Sequence, residues 1–353
     1  MSEKKTPENK KITIYDIAKE AGVSASTVSR VLTNTVGVRP SNREKVMQII
    51  EKYNFRPNAL ARSLSDTKRK ALGIVMPDIK NPFYAHLFTC CAQVAHTYGY
   101  SMLLEITMNN QELEAEYLSF FDEQQTDAII LVGGQVDNLN TDPNFAEHVN
   151  RICSTTPVVI AGKLDATFCP QVMLDTSSGI DLIMEHLLSL GHRDIAIIGG
   201  MKSVTSAVQM RMRYKQILLR NQIACREEFT EAWGYYDIDT GYQLMHRFLK
   251  DGPIPTAVIT VNDFVGIGAE NCILDHGLRI PEDISVVSHD NTLLCECARP
   301  QMTSIDYGYQ TFADRLVRTA IAASEGQMDL PQLQLVKSFL VLHNSTGPAS
   351  RGR

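Results

Sequence analysis

The 353-residue chain contains no apolar run approaching the ~18–20 residues needed to cross a bilayer. Its opening, MSEKKTPENKK, is charged and has no apolar stretch, so it does not read as a secretory leader. Residues 1–11 read instead as a disordered arm. The closing NSTGPASRGR holds little that is apolar to bury, and 344–353 read as a disordered tail. None of the eight cysteines stands in a C-x-x-C pair, and no matched histidine spacing accompanies them. Cys90–Cys91 and the run Cys295-Glu-Cys297 therefore read as small apolar residues of a protein kept reduced in the cytoplasm, with no metal.

Catalytic signatures are missing as well. No G-x-S-x-G or H-E-x-x-H occurs, and no G-x-G-x-x-G follows a strand-like run. The glycine-bearing turns GIGAE (266–270) and Gly199-Gly200 fall short of a dinucleotide fingerprint. An enzyme on a doubly wound scaffold is thereby a weak reading, and no cofactor is expected.

What the chain does have is a charge asymmetry. Residues 1–70 carry fifteen Lys and Arg against seven Asp and Glu, a net of +8, while the remainder carries nineteen against thirty-three, a net of −14. A basic head on an acidic body suggests a polyanionic partner for the head.

Residues 12–56 read as three short helices. The first runs from Thr13, a plausible N-cap, to Ala21, with Ile14, Ile17 and Ala18 inward. Gly22 permits a tight turn. Ser24 caps the second helix, which ends near Leu32, and Ser41 caps the third, with Val46, Ile49 and Ile50 inward. Two helices joined by a short glycine turn form a helix-turn-helix. The stretch VSASTVSRV (23–31) buries its valines on one side and shows Ala25, Ser26, Ser29 and Arg30 on the other. A helix that only had to be soluble would carry Lys and Glu there. Small groups around one arginine let something large approach.

From Ala71 the pattern changes. ALGIVMP, YSMLLEI, DAIILV, PVVIAG, DIAIIGG, TAVITV and ISVVSHD are strand-like, with helical periods between them at 82–98, 177–190, 208–221 and 264–276. Alternation over 71–343 predicts parallel sheets covered on both faces, as two doubly wound subdomains in tandem. Between the two patterns, 57–70 hold a possible helix from Ala59 to Leu64, capped by Asn58. It is too short to persist alone in water. Arg62 and Lys68-Arg69-Lys70 suit phosphates. Leu64 fits either a wedge in a minor groove or a linker residue packed on its neighbour.

TIYDIAKEAGVSASTVSRVL and REKVMQIIEKYNFRPNALARSL together resemble the DNA-binding head of lactose-repressor-type transcription regulators, the LacI/GalR family. LGIVMPDIKNPFYAHL, LGHRDIAIIGG, ITVNDFVGIGA and LRIPEDISVVSHDN extend the similarity in the family's order from about Lys11 to about His343. The resemblance implies that the second helix enters a major groove. There Ala25, Ser26 and Arg30 face base edges, and Arg30 meets a guanine's O6 and N7. Tyr15, Ser24, Thr27, Ser29 and Asn34 become phosphate contacts. Asn58, Ala61, Arg62 and Leu64 become a hinge helix, with Leu64 as the minor-groove wedge.

The resemblance further implies a periplasmic-binding-protein-like effector domain with its ligand between the lobes. The matching positions are Phe83, Tyr84, Gly134, Gln135, Tyr236, Asn262, Asp263 and Asp290. Rings suit sugar C–H faces, and carboxylates and amides suit hydroxyls. The family's cleft arginine has no clear counterpart. In SAVQMRMRYKQILL, Met210 takes its place, and Arg211 fits only with a register shift. The expected protein is a homodimeric repressor of carbohydrate-utilisation genes that binds a palindromic operator and answers to a sugar-like effector. A corepressor-dependent regulator sensing a nucleobase or phosphorylated metabolite is the alternative within the family. A sugar sensor whose head contacts another protein is the alternative outside it. The family's tetramer-forming helix has no counterpart after His343, so dimers are expected.

Overall fold

The computed structural model describes residues 12–32, 37–53, 55, 69–327 and 329–350. The chain divides into two units, with the boundary after Arg69.

In the first unit α1 (Ile14–Ala21) opens on a capping box. The Thr13 side chain accepts from Asp16 N, and the Asp16 carboxylate accepts from Thr13 N at 2.9 Å. Gly22 closes the helix at φ 67°, a left-handed turn that suits glycine. In α2 (Ala25–Leu32) the Ser24 hydroxyl accepts from Thr27 N, as expected of the cap. α3 (Pro40–Lys52) departs from expectation, because Arg39 rather than Ser41 is its N-cap and no side chain caps it. Pro40 explains the difference. At the first helical position its fixed φ is already helical, and it has no N–H to satisfy. Ile17, Val28, Val31 and Val46 form the buried centre, and Ile49, Ile50 and Phe55 pack around it.

The second unit has two lobes. The first lobe is built from β1 (Ala71–Met76), α4 (Pro82–Thr97), β2 (Ser101–Ile106), α5 (Gln111–Glu123), β3 (Ala128–Val132), α6 (Pro143–Cys153), β4 (Val158–Ala161) and β5 (Gln171–Leu174). The chain then enters the second lobe with α7 (Thr176–Ser189), β6 (Ile195–Ile198), α8 (Thr205–Arg220), the single turn α9 (Glu227–Thr230), α10 (Ile238–Asp251), β7 (Ala257–Thr260), α11 (Asp263–Asp275), β8 (Ser285–His289), α12 (Leu293–Cys297) and β9 (Thr303–Asp306). It returns to the first lobe for α13 (Tyr309–Ser324) and β10 (Leu333–Val336), and crosses once more for β11 (Phe339–Val341). Three crossings therefore join the lobes.

The strand orders are β10-β5-β4-β3-β1-β2 and β11-β9-β8-β7-β6. All pairs are parallel except β11, which runs antiparallel to β9. Central strands such as β3 and β7 are buried at every residue, as helices on both faces require.

The tail is not loose where it is described. Ser345 is fully buried; its hydroxyl donates to Val286 O at 2.6 Å and accepts from Thr303 N at 2.8 Å. Gly347 N donates to the Ser285 hydroxyl at 3.1 Å, and Ala349 N donates to Leu190 O at 2.9 Å. Backbone and hydroxyl groups anchor this segment along the second lobe, so its lack of apolar residues was a poor guide. The arm at 1–11 lies outside the described residues.

α10 and α11 approach so closely that a Cβ on Gly268 would collide with the Ile238 carbonyl, and one on Gly241 with the Val265 carbonyl. At Gly179 of α7 a Cβ would meet Ile305 only at 3.4 Å. Gly268→Ala is expected to lose about 2 kcal/mol or more of stability from overpacking. Gly179→Ala is expected to stay within about 1 kcal/mol of the parent or to gain slightly. Urea unfolding of the two variants checks the contrast.

Candidate functional site

Two surfaces matter, one in each unit. In the head, Val28 and Val31 fix the rotation of α2 by burying one side of it. Ser24, Ser26 and Arg30 are then exposed, and Ala25, Thr27 and Ser29 half-buried. The Ser24 hydroxyl lies 2.8 Å from those of both Ser26 and Thr27, so three small groups share one hydrogen-bonded cluster at the start of the helix. Tyr15 on α1 is 74% exposed. Lys52 joins Glu20 at 2.7 Å and ties the end of α3 to α1. Asn34, Asn58, Ala61, Arg62 and Leu64 lie outside the described residues.

In the body a cleft of about 820 Å³ opens between the lobes. It is bounded by strand-end loops, where doubly wound sheets place ligands. Asn81 caps α4 by accepting from Phe83 N at 3.0 Å, which sets Phe83 and Tyr84 at the cleft wall. The Phe83 ring stands edge-on to Tyr84 and Tyr307, with centroids 5.1 and 6.1 Å away. Tyr236 lines the opposite lobe.

Asp290 also lines the cleft, at φ 100°, a conformation costly for a residue with a Cβ. Two bonds hold it there. Asp290 N donates to Ile305 O at 3.0 Å, and the Tyr309 hydroxyl donates to Asp290 O at 2.8 Å. Burial, then the nearby Asp263 charge, push the Asp290 carboxyl well above the usual range.

Several expected ligand residues do other work. Asp263 does not line the cleft. It is buried and accepts from the Ser288 and Ser304 hydroxyls, from Thr292 N at 2.7 Å and from the Thr292 hydroxyl at 2.8 Å. Asn262 does reach the cleft. Its side-chain oxygen caps α11 by accepting from Val265 N, and its amide donates to Tyr236 O, both at 3.0 Å. Asn262 therefore sets the position of Tyr236. Gly134 lines the cleft, but Gln135 is buried behind it, and its N–H donates to the Glu114 carboxylate at 3.1 Å.

Arg211 is the clearest correction. It is buried away from the cleft, and it donates to Thr230 O at 3.2 Å, Gly199 O at 2.6 Å and Ala232 O at 3.1 Å. Its guanidinium sits 3.7 Å over the Trp233 ring. Burial lowers its pKa to about 10, so it remains a cation at neutral pH, held by three carbonyl dipoles and a π face. Met210, the residue before it, lines the cleft instead. Arg213 is engaged elsewhere, with Asp181 at 2.6 and 2.9 Å.

The sequence reading also missed cleft residues. Asp137 and Glu114 line it together with Asp78, Asp237 and Asp290, against, among the described residues, the single cation Lys163. Asp137 follows Gly134 by three positions, in the same strand-end turn (Gly134–Asp137), so its place was within reach of the sequence. Burial raises the Asp137 carboxyl to about 7. Burial also raises Glu114 to about 8, against the opposing effect of the Gln135 N–H.

A helix-turn-helix unit on the same chain as a two-lobed, cleft-bearing sheet domain defines a DNA-binding regulator with a periplasmic-binding-protein-like body. Comparison with known proteins agrees. Residues 13–58 match the family described as bacterial regulatory proteins, lacI family, and residues 184–346 match a periplasmic binding protein-like domain. The chain is 33% identical to catabolite control protein A of Priestia megaterium over 83% of this chain and 87% of that one. It is 29% identical to the HTH-type transcriptional regulator DegA of Bacillus subtilis over 96% and 99%. A structure of the lac repressor dimer bound to operator and the anti-inducer ONPF superposes with a TM-score of 0.84 at 27% identity, covering 96% of this chain and all of that one. The chain belongs to the LacI family of bacterial regulatory proteins, as a DNA-binding transcriptional regulator. Among the described residues no helix is long and apolar enough to cross a membrane.

Glu114 and Asp137 make stability depend on pH. A carboxyl with a raised folded pKa holds a proton that the unfolded chain has already released. The stability it contributes is present below the unfolded value, 4.5 for Glu114, and is lost as pH rises through about 8. Glu114→Gln keeps an acceptor for Gln135 N–H and cannot ionise. It is expected to flatten the decline between pH 4.5 and 8 by up to about 1 kcal/mol per pH unit. Urea midpoints across that range test the slope.

Proposed function

We propose that this regulator represses carbohydrate-utilisation genes, binds a near-palindromic operator as a homodimer, and responds to a small, uncharged, sugar-like effector held between the two lobes. The reading rests chiefly on one observation. The cleft combines rings, from Phe83, Tyr84 and Tyr236, with carboxyls, from Asp290 and Asp137, and among the described residues no arginine lines it. Rings suit apolar sugar faces, and carboxyls accept or donate to hydroxyls. Among the described residues a phosphorylated effector would face five carboxyl groups and one ammonium, which disfavours the anionic alternative. The name of the matched catabolite control protein A is consistent with a carbohydrate-linked role.

For the head, exposed Ser26 and Arg30 with half-buried Ala25 support α2 as the base-reading helix. Arg30 donates two hydrogen bonds to a guanine. Tyr15, Ser24, Thr27, Ser29 and Asn34 hold phosphates and fix the register. Asn58, Ala61, Arg62 and Leu64 form the hinge, with Leu64 wedged in the central minor-groove step. Two heads on one dimer match two half-sites. A coupling of about 1–3 kcal/mol between effector and operator changes affinity roughly 5–150-fold, enough for a switch.

Gel-shift titration against a palindrome with a central CG step tests the DNA half. Binding is expected to weaken steeply with salt. Arg30→Ala is expected to cost about 10–100-fold in specific affinity, from the loss of one bidentate base contact. Leu64→Ala is expected to lower specific binding and spare weak nonspecific binding. Equal loss in both modes counts against the wedge, and an unchanged Arg30→Ala counts against base reading. Thermal-shift screening of neutral sugars, sugar phosphates and nucleobases tests the cleft. A neutral sugar is expected to raise the melting temperature, and Asp290→Ala is expected to remove that rise. A rise with sugar phosphates alone would overturn the uncharged effector.

A further inference from the structure

The second lobe carries a cluster that the cleft does not use. The close contact of α10 and α11 through Gly241 and Gly268 brings His246 beside Cys272 and His276. One ligand atom of each residue lies within 4.8 Å of the other two. The imidazole centroids of His246 and His276 are 5.1 Å apart. In a tetrahedral zinc site with ordinary Zn–N and Zn–S bonds, ligand atoms stand roughly 3.3–3.6 Å from one another. Side-chain rotations of about an ångström close the difference.

Three further features point to a cation. His246 Nδ1 is buried and has no hydrogen-bond partner among the described residues. His276 Nδ1 donates to Cys272 O at 2.7 Å, which leaves the lone pair on the other ring nitrogen and orients the ring, as backbone carbonyls do for metal-bound histidines. Tyr242 stacks on His246 and donates its hydroxyl to Asp275 at 3.1 Å, so both the imidazole and a carboxylate beside Cys272 and His276 are held in place. Cys272 is buried and His276 exposed, giving the cluster a dry floor and an open mouth.

We propose that His246, Cys272 and His276 bind a borderline-soft divalent metal, zinc(II) above all, with water in the fourth position. Two imidazoles and a thiolate exclude calcium and magnesium, which take oxygen ligands. As the metal–sulfur bond forms, the Cys272 thiol proton passes to solvent and both imidazoles bind neutral. The ion clips α10 to α11. Asn262 and His276 cap opposite ends of α11, about 20 Å apart at 1.5 Å per residue, so this site is separate from the effector cleft.

Cobalt(II) alone, titrated into the reduced full-length chain without chelators, tests the proposal. One equivalent is expected to give a thiolate-to-cobalt charge-transfer band and intense tetrahedral visible bands, both abolished by one equivalent of zinc. Cys272→Ser is expected to abolish the charge-transfer band. His276→Asn, at an exposed position and checked for folding by circular dichroism, is expected to weaken cobalt binding at least tenfold. The site is overturned if the parent chain gives no thiolate band, or if the band survives in Cys272→Ser. Unchanged affinity in His276→Asn overturns it equally, and this variant decides the matter alone where Cys272→Ser does not fold.

Discussion

The second lobe is organised around one buried carboxylate. Asp263 opens α11, and its two oxygens accept from four donors on Ser288, Thr292 and Ser304. Those donors belong to β8, the turn after it and β9, so a single side chain joins three segments that meet only in the fold. Burying a carboxylate is costly unless donors replace its water, and truncating one leaves the others unsatisfied. The arrangement also explains the conformation of Asp290. Its turn is clamped on one side by Thr292 bound to Asp263 and on the other by Asn291, which bonds the Ser304 hydroxyl through its N–H and Asp306 through its amide. A left-handed φ persists when its neighbours over-determine it.

The cleft behaves as an acidic cavity that is only partly charged. Met210 lines the wall, among the described residues no guanidinium balances the carboxyls, and burial raises Asp137 and Glu114 to about 7 and 8. Near neutral pH these groups divide between acid and carboxylate. A protonated carboxyl donates as well as accepts, so the wall can meet both the lone pairs and the protons of hydroxyl groups. The one buried guanidinium near it among the described residues serves the scaffold. Arg211 gathers the carbonyls of Gly199, Thr230 and Ala232, which end β6 and the α9 region, and so holds the loops that frame the cleft.

Much of this was legible in the sequence, for physical reasons. A strand buried on both faces of a parallel sheet must be continuously apolar, so AIILV and AVIT announced β3 and β7. The first two helices of the head, capped by Thr13 and Ser24 and joined through Gly22, were equally plain. β5, β9, β10 and β11 were not. β9, TSID, is buried chiefly because its polar groups find partners such as Ser345 and Asp263, and those partners are remote in sequence. The same gap explains Asp263 and Arg211. Both types suit a ligand, and only the fold shows that protein groups already surround them. The cluster of His246, Cys272 and His276 was hidden for a related reason. Its spacing is half within one helix and half between two, and what joins the halves is a pair of glycines.

A two-lobed body on three crossings also restricts how any effector can act. A ligand shifts an equilibrium only by its difference in affinity between states. One that touched Phe83 and Asp137 alone would bind the same lobe surface whether the lobes stood apart or together, and would shift nothing. The cleft offers such a pairing, with Phe83, Tyr84 and Asp137 on the first lobe and Tyr236, Met210 and Asp290 on the second. Met210 matters here for what it does not do. A guanidinium would hold an anionic or hydroxyl-rich ligand strongly from one side, whereas a thioether adapts its shape and contributes modestly. With no dominant anchor on the second lobe among the described residues, an effector of the proposed kind would depend for affinity on contacts from both lobes together, and that dependence would tie its binding to lobe closure.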